Sequence, residues 1–266
     1  MTDYRHPSET PAFWFAALLV LGIAAVVALP TLCLVPLLLA AIVLVAYQAN
    51  QSHHRLLLQE GTRVSAQRTP EVWRLAQDCV RRLQPGDVDV VVVSAREANA
   101  YTFGLSSPKV VVLYSSLFKL MDADELRFVL GHELGHVALG HTWLNTLLGG
   151  MAGMPTSFFG AILFTFTFRG WNRACEYSAD RAGLLACGSL RKAITALVQL
   201  AVGDIRSQAQ FEQALAALDQ QDEVPMNQFG ELLSSHPLII HRIEELKRFA
   251  ASPEYQALQA RVGMPA

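Results

Sequence analysis

From Thr10 to Ser52 the chain carries no charged residue and no histidine. The run reads PAFWFAALLVLGIAAVVALP and then TLCLVPLLLAAIVLVAYQAN. A spanning helix needs about 20 apolar residues, and this stretch is nearly twice that, broken midway by Pro30-Thr31. The pattern predicts two transmembrane helices, about 12–29 and 31–48, joined by a tight turn. Pro36 falls early in the second, where a helix tolerates it best. A cleaved signal peptide is the rival. Against it stand a long first run, a barely basic MTDYRHPSET, a second apolar run that follows at once, and bulky Leu32 before Cys33. Arg5 precedes the first span, Arg55, Arg63 and Arg68 follow the second, and the turn has no basic residue. Both ends, and the rest of the chain, are therefore expected on the cytoplasmic side.

Beyond residue 52 the periodicity changes. Residues 70–84 alternate at helical spacing and open on proline, a helix-start signal. Pro85-Gly86-Asp87 is a turn. VDVVVVS (88–94) and KVVVLY (109–114) are β-branched runs that predict strands, with NAYTFG (99–104) between them as strand or loop. Asp122-Ala-Asp-Glu125 has the form of a capping box before an apolar-periodic segment, so a helix is expected from about 123. Further helices are predicted over 172–187, 189–202 and 208–219, and from Pro237 to about 250. Residues 142–168 form a second uncharged stretch, interrupted by glycines and Pro155. It could dip into the membrane, pack as a buried helix pair or cover a cleft. The expected class is mostly α with a small β-sheet (α+β). A membrane hairpin occupies 1–52 and one further domain 53–266, with the apolar insert at about 142–168.

Composition sharpens this only slightly. Of 266 residues 52% are hydrophobic and 17% charged, with a net charge of −2. That is rich in apolar residues and agrees with membrane contact. No basic stripe argues for nucleic acid. Cys33, Cys79, Cys175 and Cys187 are scattered, form no CxxC pair, and fit a reducing compartment.

The chemistry concentrates in GHELGHVALGH (131–141). His132-Glu133-Leu134-Gly135-His136 is HExxH, and on a helix i and i+4 share a face. Both imidazoles can bind one ion. A catalytic zinc site takes three protein ligands, and Glu133 is placed to act as base toward the attacking water. Two core histidines satisfied by hydrogen bonds are the bland alternative. His141 lies about 140° round a regular helix from His136 and cannot join the same ion from it. It is expected at the helix end, where a protonated imidazole would favour the dipole. Glu176, in RACEYSADRAGL (173–184), is the better third ligand. Asp180, one turn on, can accept the free N–H of a liganding histidine. Cys175 points about 100° away from Glu176 on a helix and is not expected to bind. A His2Glu site would also accept cobalt or manganese.

HELGH at 132–136, EYSAD at 176–180, NAYTFG at 99–104 and SHPLIIHRI at 235–243 occur together in this chain. Over about 70–250 it resembles the integral-membrane zinc peptidases that include the HtpX protease and the type I CAAX prenyl proteases. The resemblance implies a gluzincin fold, one Zn2+ on His132, His136 and Glu176, Glu133 as general base and Asp180 behind the ligands. It implies that His236 and Arg242 steady the oxyanion of the intermediate, and that Asn99, Ala100 and Tyr101 border the substrate cleft. Tyr101 reads equally well as a core aromatic. The expected function is a membrane-anchored zinc endopeptidase of a bacterial inner membrane, cutting membrane-associated or misfolded polypeptides in protein quality control. Its partners would be polypeptide substrates and the lipid bilayer, with homo-oligomerisation left open. A non-catalytic or latent zinc-stabilised scaffold is the alternative.

Overall fold

The computed structural model describes residues 4–28, 59–143, 159–203, 207–222 and 239–262, with scattered positions between 37 and 56. In chain order its elements are α1 (Glu9–Ala28), β1 (Thr62–Arg63), α2 (Pro70–Leu83), β2 (Val88–Val93), β3 (Ala100–Phe103) and β4 (Lys109–Tyr114). Then come α3 (Leu117–Leu120), α4 (Ala123–Ala138), α5 (Phe159–Cys187), α6 (Leu190–Val202), α7 (Gln208–Asp222), α8 (Ile239–Ala250) and α9 (Pro253–Val262). This is the mostly helical class with one small mixed sheet.

The sheet order is β1-β2-β4-β3. β2 and β4 run parallel, from Val88 opposite Lys109 to Val93 opposite Tyr114. β3 is antiparallel to β4, with Ala100 opposite Leu113 and Phe103 opposite Val110. Alternate side chains leave a strand on opposite faces. Val90, Val111 and Leu113 join the main core with α2 and α4, while Val91, Phe103, Val110 and Val112 form a separate cluster.

α4 starts as its sequence predicts. The Asp122 carboxylate accepts from the Asp124 and Glu125 backbone N–H groups at 3.0 Å, and Glu125 accepts from the Asp122 N–H at 2.9 Å. This satisfies donors that a helix start leaves unpaired. α4 and α5 then cross at very short range. A Cβ at Gly131 would fall 2.4 Å from the Ala186 Cβ, and one at Gly135 would fall 2.5 Å from the Ala182 Cβ. On α5, a Cβ at Gly183 would stand 2.8 Å from Phe128. Gly131, just before the HExxH motif, and Gly135, within it, are thus what lets that helix lie against the one carrying Glu176 and Asp180.

α5 differs from its expectation. It runs without a break from Phe159, so the last part of the apolar stretch 142–168 is the opening of the Glu176 helix and not an insert apart from it. Gly160 and Gly170 hide that continuity, because helical propensity drops at each. Residues 144–158 lie outside the described residues, as does most of the second expected span. α9, β1 and α3 were not expected: each is short or weakly patterned.

α1 packs its first turns on α5, where Ala16 is buried with Phe168, Trp171 and Cys175, and Ala12, Phe13 and Val20 pack around them. Its other face exposes Trp14, Phe15, Leu18, Leu21 and Val26. Among the described residues no helix is long and apolar enough to cross a membrane.

Candidate active site

His132 and His136 stand one turn apart on α4, and Glu176 and Asp180 one turn apart on α5 (Phe159–Cys187). The close crossing turns the two pairs toward each other. His132 Nε2 lies 3.2 Å from His136 Nε2 and 3.6 Å from Glu176 Oε2, and His136 Nε2 lies 3.5 Å from Glu176 Oε1. The donor atoms of His132, His136 and Glu176 all fall within 4.8 Å of one another. Four-coordinate zinc, with Zn–N of about 2.0–2.1 Å, separates its ligand atoms by about 3.3–3.4 Å. The three separations match those edges, so the residues fit a divalent metal. Burial works against protonation of His136, yet the Glu176 and Glu133 carboxylates hold its pKa above the ordinary value. The pocket favours positive charge.

The far nitrogen of each ring is also engaged. His132 Nδ1 lies 2.9 Å from Asp180 Oδ1. Arg242, on α8, grips Asp180 through Nε–Oδ2 at 2.8 Å and Nη2–Oδ1 at 2.6 Å. Its Nη1 lies 3.2 Å from Glu176 Oε2. Burial would push Asp180 up, but Arg242 and His132 outweigh it and hold its carboxyl below the usual range. Burial likewise opposes the Arg242 charge, which Asp180 and Glu176 more than restore. Arg242 is thus buried and paired with the Asp180 and Glu176 carboxylates. His236 lies outside the described residues.

The largest departure concerns His141. α4 ends at Ala138, and Gly140 takes φ +77°, a left-handed conformation that suits glycine. The Gly140 N–H donates to Val137 O at 3.1 Å and the His141 N–H to His136 O at 2.9 Å. This paired closure of a helix end, a Schellman motif, folds the chain back on itself. His141 is therefore not a cation at an exposed helix end. It is buried behind His136, with the two Nδ1 atoms 2.9 Å apart. Burial pushes its pKa down to about 4, so the ring is neutral near pH 7. A helical wheel describes the chain only as far as the helix runs, and α4 stops before His141. Glycine four residues past His136 was the signal for where it stops.

Glu133 faces β3 (Ala100–Phe103). The Thr102 hydroxyl lies 2.5 Å from Glu133 Oε2 and 3.2 Å from the Glu133 carbonyl oxygen. Thr102 was not singled out from the sequence, although its neighbours were. Strand alternation separates them: Ala100 packs toward the main core, while Tyr101 stacks near Phe103 and Tyr114, each with ring centroids 6.1 Å away. Burial pushes the Tyr101 hydroxyl up to about 12. Asn99 precedes the strand and its carbonyl accepts from the Tyr114 N–H at 3.0 Å.

The chain is similar to known proteins. The chain is 30% identical over 190 residues to the plastoglobule-localized metallopeptidase 48 of Arabidopsis thaliana, covering 65% of this chain and 55% of that one. It is 33% identical over 114 residues to a CAAX prenyl protease 1 homolog of Dictyostelium discoideum, covering 42% of this chain and 27% of the other. A protease HtpX homolog of Ralstonia nicotianae is 24% identical over 233 residues, covering 76% and 82%. The chain thus spans about half or less of the first two and most of the third. The crystal structure of S. mikatae Ste24p superposes with a TM-score of 0.42 at 18% identity, over 81% of this chain and 56% of that one, a likeness too loose to argue from. The profile of peptidase family M48 matches residues 66–250, a span that takes in strands β2 to β4, both motif helices and Arg242, and the chain belongs to that family.

Proposed function

We propose that this protein is a membrane-anchored zinc endopeptidase, and the observation that carries the reading is the convergence of His132, His136 and Glu176 beside the Glu133 carboxylate. Zinc held by those three residues would supply a Lewis acid for the scissile carbonyl and bring the pKa of water down to about 7. Glu133 takes the proton of the attacking water and hands it to the leaving amine. Thr102 holds one oxygen of that carboxylate and so fixes its aim. Asp180 accepts from His132 Nδ1–H, which leaves Nε2 as the lone pair facing the other ligand atoms. Arg242 keeps Asp180 and Glu176 in place. His236 keeps the role that the family resemblance gives it, a donor to the oxyanion.

β3 has one strand neighbour among the described residues, β4, and lies against the HExxH helix. An extended polypeptide could add along it, with Asn99, Ala100 and Tyr101 bordering the path. The exposed apolar face of α1 and the uncharged run to residue 52 support anchoring in a bilayer. Relatives named HtpX protease homolog and CAAX prenyl protease support a polypeptide substrate, and membrane-associated or misfolded proteins are the class that the motif resemblance implies.

The test is cleavage of an unfolded polypeptide by the purified full chain in detergent, with zinc, with a chelator, and with Glu133→Gln. Cutting that needs both the metal and Glu133 is the expected result. One zinc per chain with no cutting, in detergent or in lipid, would replace the peptidase with a zinc-stabilised scaffold.

A further inference from the structure

The segment ahead of the first apolar helix is built into the metal centre. Tyr4 is buried in the main core. Arg5 Nη2 donates to Leu139 O at 2.6 Å, at the carbonyl end of α4 where a cation is favoured. The His6 N–H donates to Ser178 Oγ at 2.8 Å, and Arg181 Nη1 reaches Arg5 O at 3.2 Å. Residues 4–9 thereby lie across α4 and α5 at the level of the ligands. At their end stands Glu9, the first residue of α1 and only 2% exposed. Its carboxylate pairs with Arg5, accepts from Ser178 Oγ, and lies 3.1 Å from His141 Nε2.

Only one assignment of protons satisfies every contact in this chain of rings. If His136 presents Nε2 to a cation, its proton sits on Nδ1 and is donated to His141 Nδ1 at 2.9 Å. His141 then carries its own proton on Nε2 and donates it to Glu9 Oε1. A carboxylate that accepts only is what the far end requires. We infer that Glu9 is a positioning residue of the metal centre: acting through His141, it fixes the tautomer and tilt of His136, as Asp180 does directly for His132. This rests on the proposed reading of His132, His136 and Glu176 as the metal ligands.

Glu9, His141 and Cys175 also place ligand atoms within 4.8 Å of one another, which raises a second ion as the competing explanation. The partners speak against it. Arg5 and Ser178 already occupy Glu9, and a metal on His141 Nε2 would displace the proton that Glu9 receives.

The test uses the full chain in detergent and reads zinc affinity by competition with a chromophoric chelator, so that proteolysis is not needed. Partners of a metal-bound histidine are typically worth on the order of 10- to 100-fold in affinity. His141→Ala is expected to lose that much, and Glu9→Gln a measurable part of it. In a His141→Ala background, Glu9→Gln should then cost nothing further, since Glu9 acts only through the ring. A purely structural strap would give the same loss in both backgrounds. Thermal unfolding of the metal-free variants checks that each is folded, and should Glu9→Gln not fold, Glu9→Asp, which keeps the charge but shortens the reach to the ring, reads the same link. The inference is overturned by Glu9→Gln with wild-type affinity, by equal losses in the two backgrounds, by His141→Ala with wild-type affinity, or by two zinc ions per chain. A wild-type chain that binds no zinc would overturn the proposed function itself, and this inference with it.

Discussion

The two histidines of one motif are held in unequal ways. On the His132 side the support is short and comes from α5 and α8: ring to Asp180, Asp180 to Arg242, in contacts of 2.6–2.9 Å. On the His136 side it is long and crosses the molecule: ring to His141, and His141 to Glu9 at the start of α1. The first is a local device, two carboxylates spaced one turn apart on α5. The second exists only because Gly140 ends the helix and the N-terminal segment lies over the turn. A metal centre can therefore be rigid on one flank and tied, on the other, to the element proposed as its membrane anchor.

The comparison can be broken first at its strongest point. Arg242→Met should be the most damaging change, because it leaves Asp180 and Glu176 buried without their cation. Removing one partner of a buried ion pair costs about 3–5 kcal/mol, to be read from denaturant unfolding of the metal-free chain. Glu9 is paired with an Arg5 that is partly exposed, and its loss should cost less.

A change at the helix crossing should strike both flanks alike. Gly135→Ala places a methyl against Ala182 and forces α4 away from α5. Overpacking of this kind costs about 1–3 kcal/mol, and the separated ligand pairs should bind zinc more weakly whichever flank is intact. Unfolding midpoint and chelator competition, measured on the same sample, would show both.

Thr102→Val sharpens the contrast by touching neither flank. The two side chains are close in shape, but the hydroxyl that holds Glu133 is gone. Turnover should fall by on the order of 10- to 100-fold, the scale of a misplaced catalytic group, with zinc affinity unchanged. A matched fall in affinity would mean that Thr102 supports the ligands and not the base. The smallest effect belongs to Gly140→Ala. A left-handed conformation costs a non-glycine residue about 1–2 kcal/mol, and any loss of zinc affinity should vanish in a His141→Ala background.

What could be read from the sequence follows the same division. HExxH and ExxxD are i,i+4 pairs, so helical geometry alone places His132 with His136, and Glu176 with Asp180, on one face of their helices. The strands at 88–93 and 109–114 were legible from their β-branched runs, and the capping box fixed the start of α4. Glu9 was not legible, because its partner lies 132 residues away in the chain and nothing local marks it. His141 was misplaced by extending a regular helix through a glycine that ends it. Thr102 sat inside a noticed stretch, yet only knowledge of which strand face meets α4 could separate it from Tyr101. Arg242 was found through resemblance, while its grip on Asp180 needed the packed helices to be seen.

The most direct measurement is the metal content of the purified chain, by elemental analysis after gel filtration, in the wild type and in Glu176→Gln. One zinc per chain in the wild type and nearly none in the variant is the result expected of a centre built on His132, His136 and Glu176. Equal content in the two proteins would mean that the ion, wherever it sits, is not held there.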